Sequence, residues 1–89
     1  MHSVINFVGL ENGVISATYR NLMIKAKVVL VEQASGVVLS YPVTTISSPV
    51  PVGSLRIKLP GTIRPGTYYL KALNAHGQDA ARSAEFHIG

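Results

Sequence analysis

Apolar and polar residues alternate with a period of two along most of this chain. The clearest run covers residues 68–73, where Tyr68, Leu70 and Ala72 fall on one side and Tyr69, Lys71 and Leu73 on the other. Alternation of this kind puts successive side chains on opposite faces of an extended strand. Residues 14–20 repeat it, with Ile15, Ala17 and Tyr19 against Ser16, Thr18 and Arg20. Residues 54–59 set Leu55, Ile57 and Leu59 against Arg56 and Lys58, and the chain closes with Ala84, Phe86 and Ile88 against Glu85 and His87. The longest apolar run, residues 24–32, predicts a strand with Ala26, Val28 and Leu30 inward and Lys25, Lys27, Val29 and Val31 outward. A helix over residues 22–33 is rejected, because Val28, Val29 and Val31 crowd a helix while the lysines keep strict alternation. Residues 2–8 and 37–41 predict two further strands. Pro42, which lacks an N–H, ends the second of these or marks it as an edge, and residues 43–48 form a short edge strand.

Turn chemistry falls between these runs. Asn12-Gly13 is a strong hairpin signal, and residues 33–36 close a second hairpin. Pro65-Gly66 suits the centre of a type II turn. In Asn74-Ala75-His76-Gly77, the glycine can take the left-handed position of a hairpin loop. Pro49 and Pro51 would blunt a sheet edge. Tyr68 follows a tight turn and shares a face with Leu70 and Ala72. It is therefore the candidate for a tyrosine corner, whose phenol bonds back to upstream backbone. No 3.6-residue period and no internal repeat competes. The pattern predicts an all-β fold, an antiparallel two-sheet sandwich of about seven strands, in a single domain over residues 1–89.

Composition narrows the function. Nearly half of the 89 residues are apolar, so the chain folds around a core. It has no cysteine, which excludes a disulfide framework and thiolate metal sites. No apolar stretch is long enough to span a bilayer, so membrane insertion is not expected. No basic segment followed by an apolar run is visible as a signal peptide. The net charge of +4 raises nucleic acid as a partner. Nucleic acid needs cations converging on one surface. Here Lys25, Lys27 and Lys71 fall on the outer face of one sheet, Arg56 and Lys58 on that of the other, and Arg20, Arg64 and Arg82 near ends. That division argues against nucleic acid.

The C-terminal half resembles a family. Leu55-Arg56-Ile57-Lys58-Leu59-Pro60, Pro65-Gly66-Thr67-Tyr68-Tyr69-Leu70-Lys71-Ala72, Asn74, Gly77 and Phe86-His87-Ile88 resemble the last three strands of bacterial immunoglobulin-like or fibronectin type III-like modules. They resemble, less closely, the C-terminal sorting domains of type IX secretion substrates. The resemblance covers about the last forty residues. The tryptophan and cysteine pair of antibody-type domains are absent. It implies an immunoglobulin-like sandwich, a module of a larger extracellular or cell-surface protein, acting as spacer, adhesive or carbohydrate-associated accessory domain.

Candidate chemistry is sparse. The four carboxylates, Glu11, Glu32, Asp79 and Glu85, fall in different turns and strands, which does not suit a paired-carboxylate glycosidase. His76, Asp79 and Ser83 share a hairpin, which supplies neither an orienting third group nor an oxyanion hole. Glu85 and His87, with His2 approaching from the first strand, form a conceivable zinc trio, for which a solvated strand face is the plainer account. Tyr69 and Tyr41 are the rings available to a sugar, without a tryptophan platform. No catalytic, cofactor-binding or metal site is assigned. One feature stands out: an outer sheet face carrying Val29, Val31, Tyr69 and Leu73 between Lys25, Lys27 and Lys71. Antiparallel sheets keep that face polar, so an apolar patch there points to contact with another surface. The expected function is a non-catalytic interaction or spacer module. Its partner would be a protein, an adjacent domain or a second copy in a homo-oligomer, with carbohydrate binding or secretion sorting as the alternatives.

Overall fold

A computed structural model describes residues 3–46, 52–61 and 63–89. His2, Pro49 and Pro51 lie outside the described residues, as does the ring of Tyr41. Strands β1 (Val4–Glu11) and β2 (Val14–Arg20) form a hairpin. Asn12 and Gly13 both take positive φ, 53° and 74°, so the two-residue turn is of the primed kind that matches strand twist. Strand β5 (Val52–Lys58) pairs with the far side of β2 in unbroken register. At Tyr19 opposite Gly53 the ring lies where a glycine Cβ would stand, so the glycine is required by that close approach.

The second sheet runs β4 (Val38–Thr45), β3 (Lys27–Glu32), β6 (Gly66–Leu73) and β7 (Asp79–Arg82), with β8 (Phe86–Ile88) also on β6. Both sheets are antiparallel, and among the described residues the chain holds eight strands and no helix. Ile5, Ile15, Ala17, Tyr19 and Ile57 from the first sheet share one buried cluster with Val28, Leu30, Tyr68, Leu70, Ala72, Phe86 and Ile88 from the second. Two layers around a common core are consistent with a sandwich. Phe7 of β1 stacks on Phe86 of β8 with centroids 4.1 Å apart, tying the first strand of one sheet to the last of the other.

Several expectations are corrected. The two strands expected over residues 37–41 and 43–48 are one strand, β4, running unbroken from Val38 to Thr45, and residues 47 and 48 lie outside the described residues. Strand β4 lies at the sheet edge, with a register shift around Pro42 that accommodates the missing N–H. Gly66 has φ of 157° instead of the roughly +80° of a type II turn. It already belongs to β6, opposite Ile88. Strand β7 was not expected. The last strand is split into β7 and β8 by residues 83–85, and Ser83 fills the gap. Its N–H donates to the Leu70 carbonyl at 2.8 Å, its Oγ accepts the Leu70 N–H at 2.9 Å, and its hydroxyl donates to the Ala84 carbonyl at 2.9 Å. A buried side chain thus replaces the ladder bond that the break removes.

The tyrosine corner is present. Tyr68, only 1% exposed, donates its phenol to the Arg64 carbonyl at 2.8 Å, four residues upstream. Burial raises the phenol's pKa above its ordinary value, and the charge of Glu32 adds to that rise. Below about pH 10 the phenol is protonated in both folded and unfolded chains, so its contribution is complete. Above that the unfolded chain loses the proton first, and stability falls as pH climbs through the raised native pKa.

Two outcomes follow for stability. Ser83→Ala leaves the Leu70 N–H buried without a partner and should lower the unfolding free energy by about 1–3 kcal/mol in urea titration. An unchanged midpoint would refute the bridging role. Tyr68→Phe should cost about 0.5–1.5 kcal/mol at neutral pH and flatten the alkaline decline. Equally steep declines in both proteins would exclude Tyr68 as their source.

Candidate interaction surface

Directly opposed residues of an antiparallel pair share a face. On the outer face of the five-stranded sheet the register sets Lys27 opposite Leu73, Val29 opposite Lys71 and Val31 opposite Tyr69. On the far side of β6, Lys71 stands opposite Arg82 and Leu73 opposite Asp79. Six of the seven sequence-designated residues therefore share one face. The seventh does not sit on a strand. Lys25 lies in the turn before β3 with φ of 72°, and its N–H reaches the Ile46 carbonyl at 2.8 Å.

The face is not an open apolar patch. Val29 and Val31 are 5% and 1% exposed, although neither belongs to the central core cluster. Val31 is flanked in register by Tyr69 and Val38, and Val29 by Lys71. Long side chains on neighbouring strands cover short branched ones, and their charged heads stay in water. Tyr69, Lys71 and Leu73 are half-buried, and Lys27 is exposed.

Strand β7 supplies the parts that sequence reasoning missed. The Arg82 guanidinium lies over the Tyr69 ring, 4.1 Å from its centroid. The Lys71 Nζ is 3.1 Å from the Asp79 Oδ1, with Asp79 the more exposed partner. Tyr69, Lys71, Asp79, Ala80, Ala81 and Arg82 together line a hollow of about 200 Å³. The sequence pattern puts Arg82 near an end, because residues 79–82 carry no alternation that marks a strand. The strength of the Asn74–Gly77 turn was the available signal. Asn74 Oδ1 accepts from the His76 and Gln78 N–H groups, Gly77 has φ of 80°, and the chain turns straight back along β6.

The other candidates come apart. Ser83 donates to the Ala84 carbonyl and Asp79 pairs with Lys71, while His76 stands exposed in the hairpin loop. Glu85 and His87 are exposed, His2 lies outside the described residues, and no three potential metal ligands cluster among the described residues. A larger hollow of about 470 Å³ lies between the β3–β4 turn and the β5–β6 loop, with Val37, Leu39, Pro60 and Ile63 in its lining. Its buried polar group is Tyr68, whose proton is already committed to Arg64. Arg56 and Lys58 stand exposed on the other sheet.

The stacked pair should be measurable by itself. A double-mutant cycle with Tyr69→Leu and Arg82→Gln should return a coupling of about 0.5–1 kcal/mol in unfolding free energy. Additive single effects would mean that ring and guanidinium act independently.

The chain matches no family model, no curated protein and no solved structure among the known proteins compared with it.

Proposed function

We propose that this chain is an immunoglobulin-like module of the fibronectin type III kind, acting without catalysis as an interaction or spacer unit. Two features support the fold reading. Lettered in chain order as A, B, C, C′, E and F, with β7 and β8 as halves of G, the strands run A-B-E in one sheet and C′-C-F-G in the other. That is the sandwich order in which the fourth strand has moved to the C-F-G sheet. The corner tyrosine stands at the start of the F-equivalent strand and bonds upstream. Placement in a surface or secreted protein follows from the family resemblance.

The observation that carries the interaction reading is the cluster of Tyr69, Arg82 and Lys71 on the outer face of the five-stranded sheet. Tyrosine and arginine dominate the energetic centres of protein interfaces, because each offers large contact area together with directed hydrogen bonds. Here the stack restrains both before any contact forms, which lowers the ordering cost of binding. A partner protein or adjacent domain suits such a face better than a second copy. An isologous contact would set Lys27, Lys71 and Arg82 against the same cations.

A photo-crosslinking residue introduced at position 27 should yield adducts with a neighbouring domain or partner in the protein's native extract. The same residue at position 58, on the opposite sheet, should not. Tyr69→Lys should abolish the position-27 adducts and leave the circular dichroism spectrum unchanged. Adducts that arise equally from both faces, or that persist in the Tyr69 variant, would refute this surface.

A further inference from the structure

We infer that the hollow between β6 and β7 is a receptor for a carboxylate side chain on an acidic segment of a partner protein. The inference rests on the interaction reading above and specifies the partner's chemistry. Arg82 holds its guanidinium carbon over the Tyr69 ring, 4.1 Å from the centroid. Stacking leaves the in-plane N–H donors of a guanidinium available, and their fork matches a carboxylate bidentately. No hydrogen bond from the Arg82 side chain to another described residue occupies them. Lys71, whose side chain is 22% exposed, adds a second cation directly opposite Arg82 in register. Its present counter-ion, Asp79, is 71% exposed and sits on the short edge strand. An ion pair so open to water contributes little, so an incoming carboxylate can share or displace it at small cost.

Size selects the occupant. Pockets for free small molecules run to about 300–1,000 Å³, and this one holds about 200 Å³. It suits one side chain of a larger partner. Charge points the same way: Lys27, Lys71 and Arg82 stand against Asp79 alone among the charged residues placed on this face by register. A nucleic acid or sulfated polymer would need a longer track of cations. Of the five remaining cations, Arg56 and Lys58 lie on the opposite sheet, Arg20 ends β2, and Lys25 and Arg64 sit in connections before β3 and β6.

A phage-displayed dodecapeptide library panned on the wild-type chain tests this directly. Recovered peptides should carry Asp or Glu. They should bind Arg82→Gln at least about tenfold more weakly, because a charge-assisted fork is lost. Arg82→Lys, which keeps the charge but not the fork, should restore only part of the affinity. Replacing the peptide's acids with Asn or Gln should lose a similar factor, and binding should weaken as salt rises. Circular dichroism of each variant checks that the fold is retained. Neutral or basic peptides that depend on Tyr69 but not Arg82 would overturn the carboxylate receptor and leave the interaction face standing. Peptides indifferent to both residues, or no enrichment at all, would overturn both. A heparin oligosaccharide that outcompetes the acidic peptides would also overturn the inference, assigning the cations to a polymer.

Discussion

Strand β6 must satisfy hydrogen-bonding groups along both of its edges, and its neighbour on one side is interrupted halfway. On the β3 side the ladder runs from Tyr68 to Leu73 without a shift. On the other side β8 covers residues 66–68 and β7 covers 71–73, which leaves Tyr69 and Leu70 between them. Ser83 closes the gap with its own backbone and hydroxyl. The arrangement matters because Leu70 is fully buried at the centre of the core, where an unmet N–H has no water to turn to. With that position satisfied, β6 keeps its pleat. Tyr68, Leu70 and Ala72 then stay inward, and Tyr69, Lys71 and Leu73 stay outward.

The same break shapes the outer face. Because the last strand is split, β7 is free to shift against β6, with Ala72 opposite Ala81 and Leu73 opposite Asp79. That extra residue lets one short strand present Arg82 to Tyr69 and Asp79 to Lys71. A regular strand would put residues 79 and 81 on one face and 80 and 82 on the other. The one extra residue shifts the phase by one position, so that Asp79 and Arg82, three apart in sequence, fall on the same surface. Bulges commonly re-aim side chains in this way.

Local chemistry in the sequence was legible where a single physical cause decided the outcome. Asn12-Gly13 needs positive φ and takes it, and Gly77 does the same. Alternation in residues 14–20 and 68–73 assigns Ile15, Tyr19, Tyr68 and Leu70 to the interior, and they are there. Tyr68 was identified from its place after a turn, and its bond to Arg64 is present. What failed depended on non-local pairing. Val29 and Val31 alternate outward as expected, yet their burial is fixed by the side chains of strands that lie elsewhere in sequence. Lys25 obeys the alternation but breaks from the strand, because its N–H answers the Ile46 carbonyl some twenty residues away. Asp79–Arg82 is too short and too mixed to announce itself, so the Arg82 half of the candidate site was invisible until β6 provided its register.

Charge distribution distinguishes a binding face from a merely soluble one. Both sheets carry cations outward, and a count of charges treats them alike. On the three-stranded sheet, Arg56 and Lys58 extend from β5 into water. Flexible solvated cations lose side-chain entropy when they are fixed, and that loss offsets much of what a contact gains. On the five-stranded sheet the Tyr69 ring already restrains Arg82. The ordering cost has been met within the fold, so a partner gains more from each contact. This asymmetry in preorganisation, rather than the net charge of +4, is the physical reason to look for recognition on the β6–β7 side.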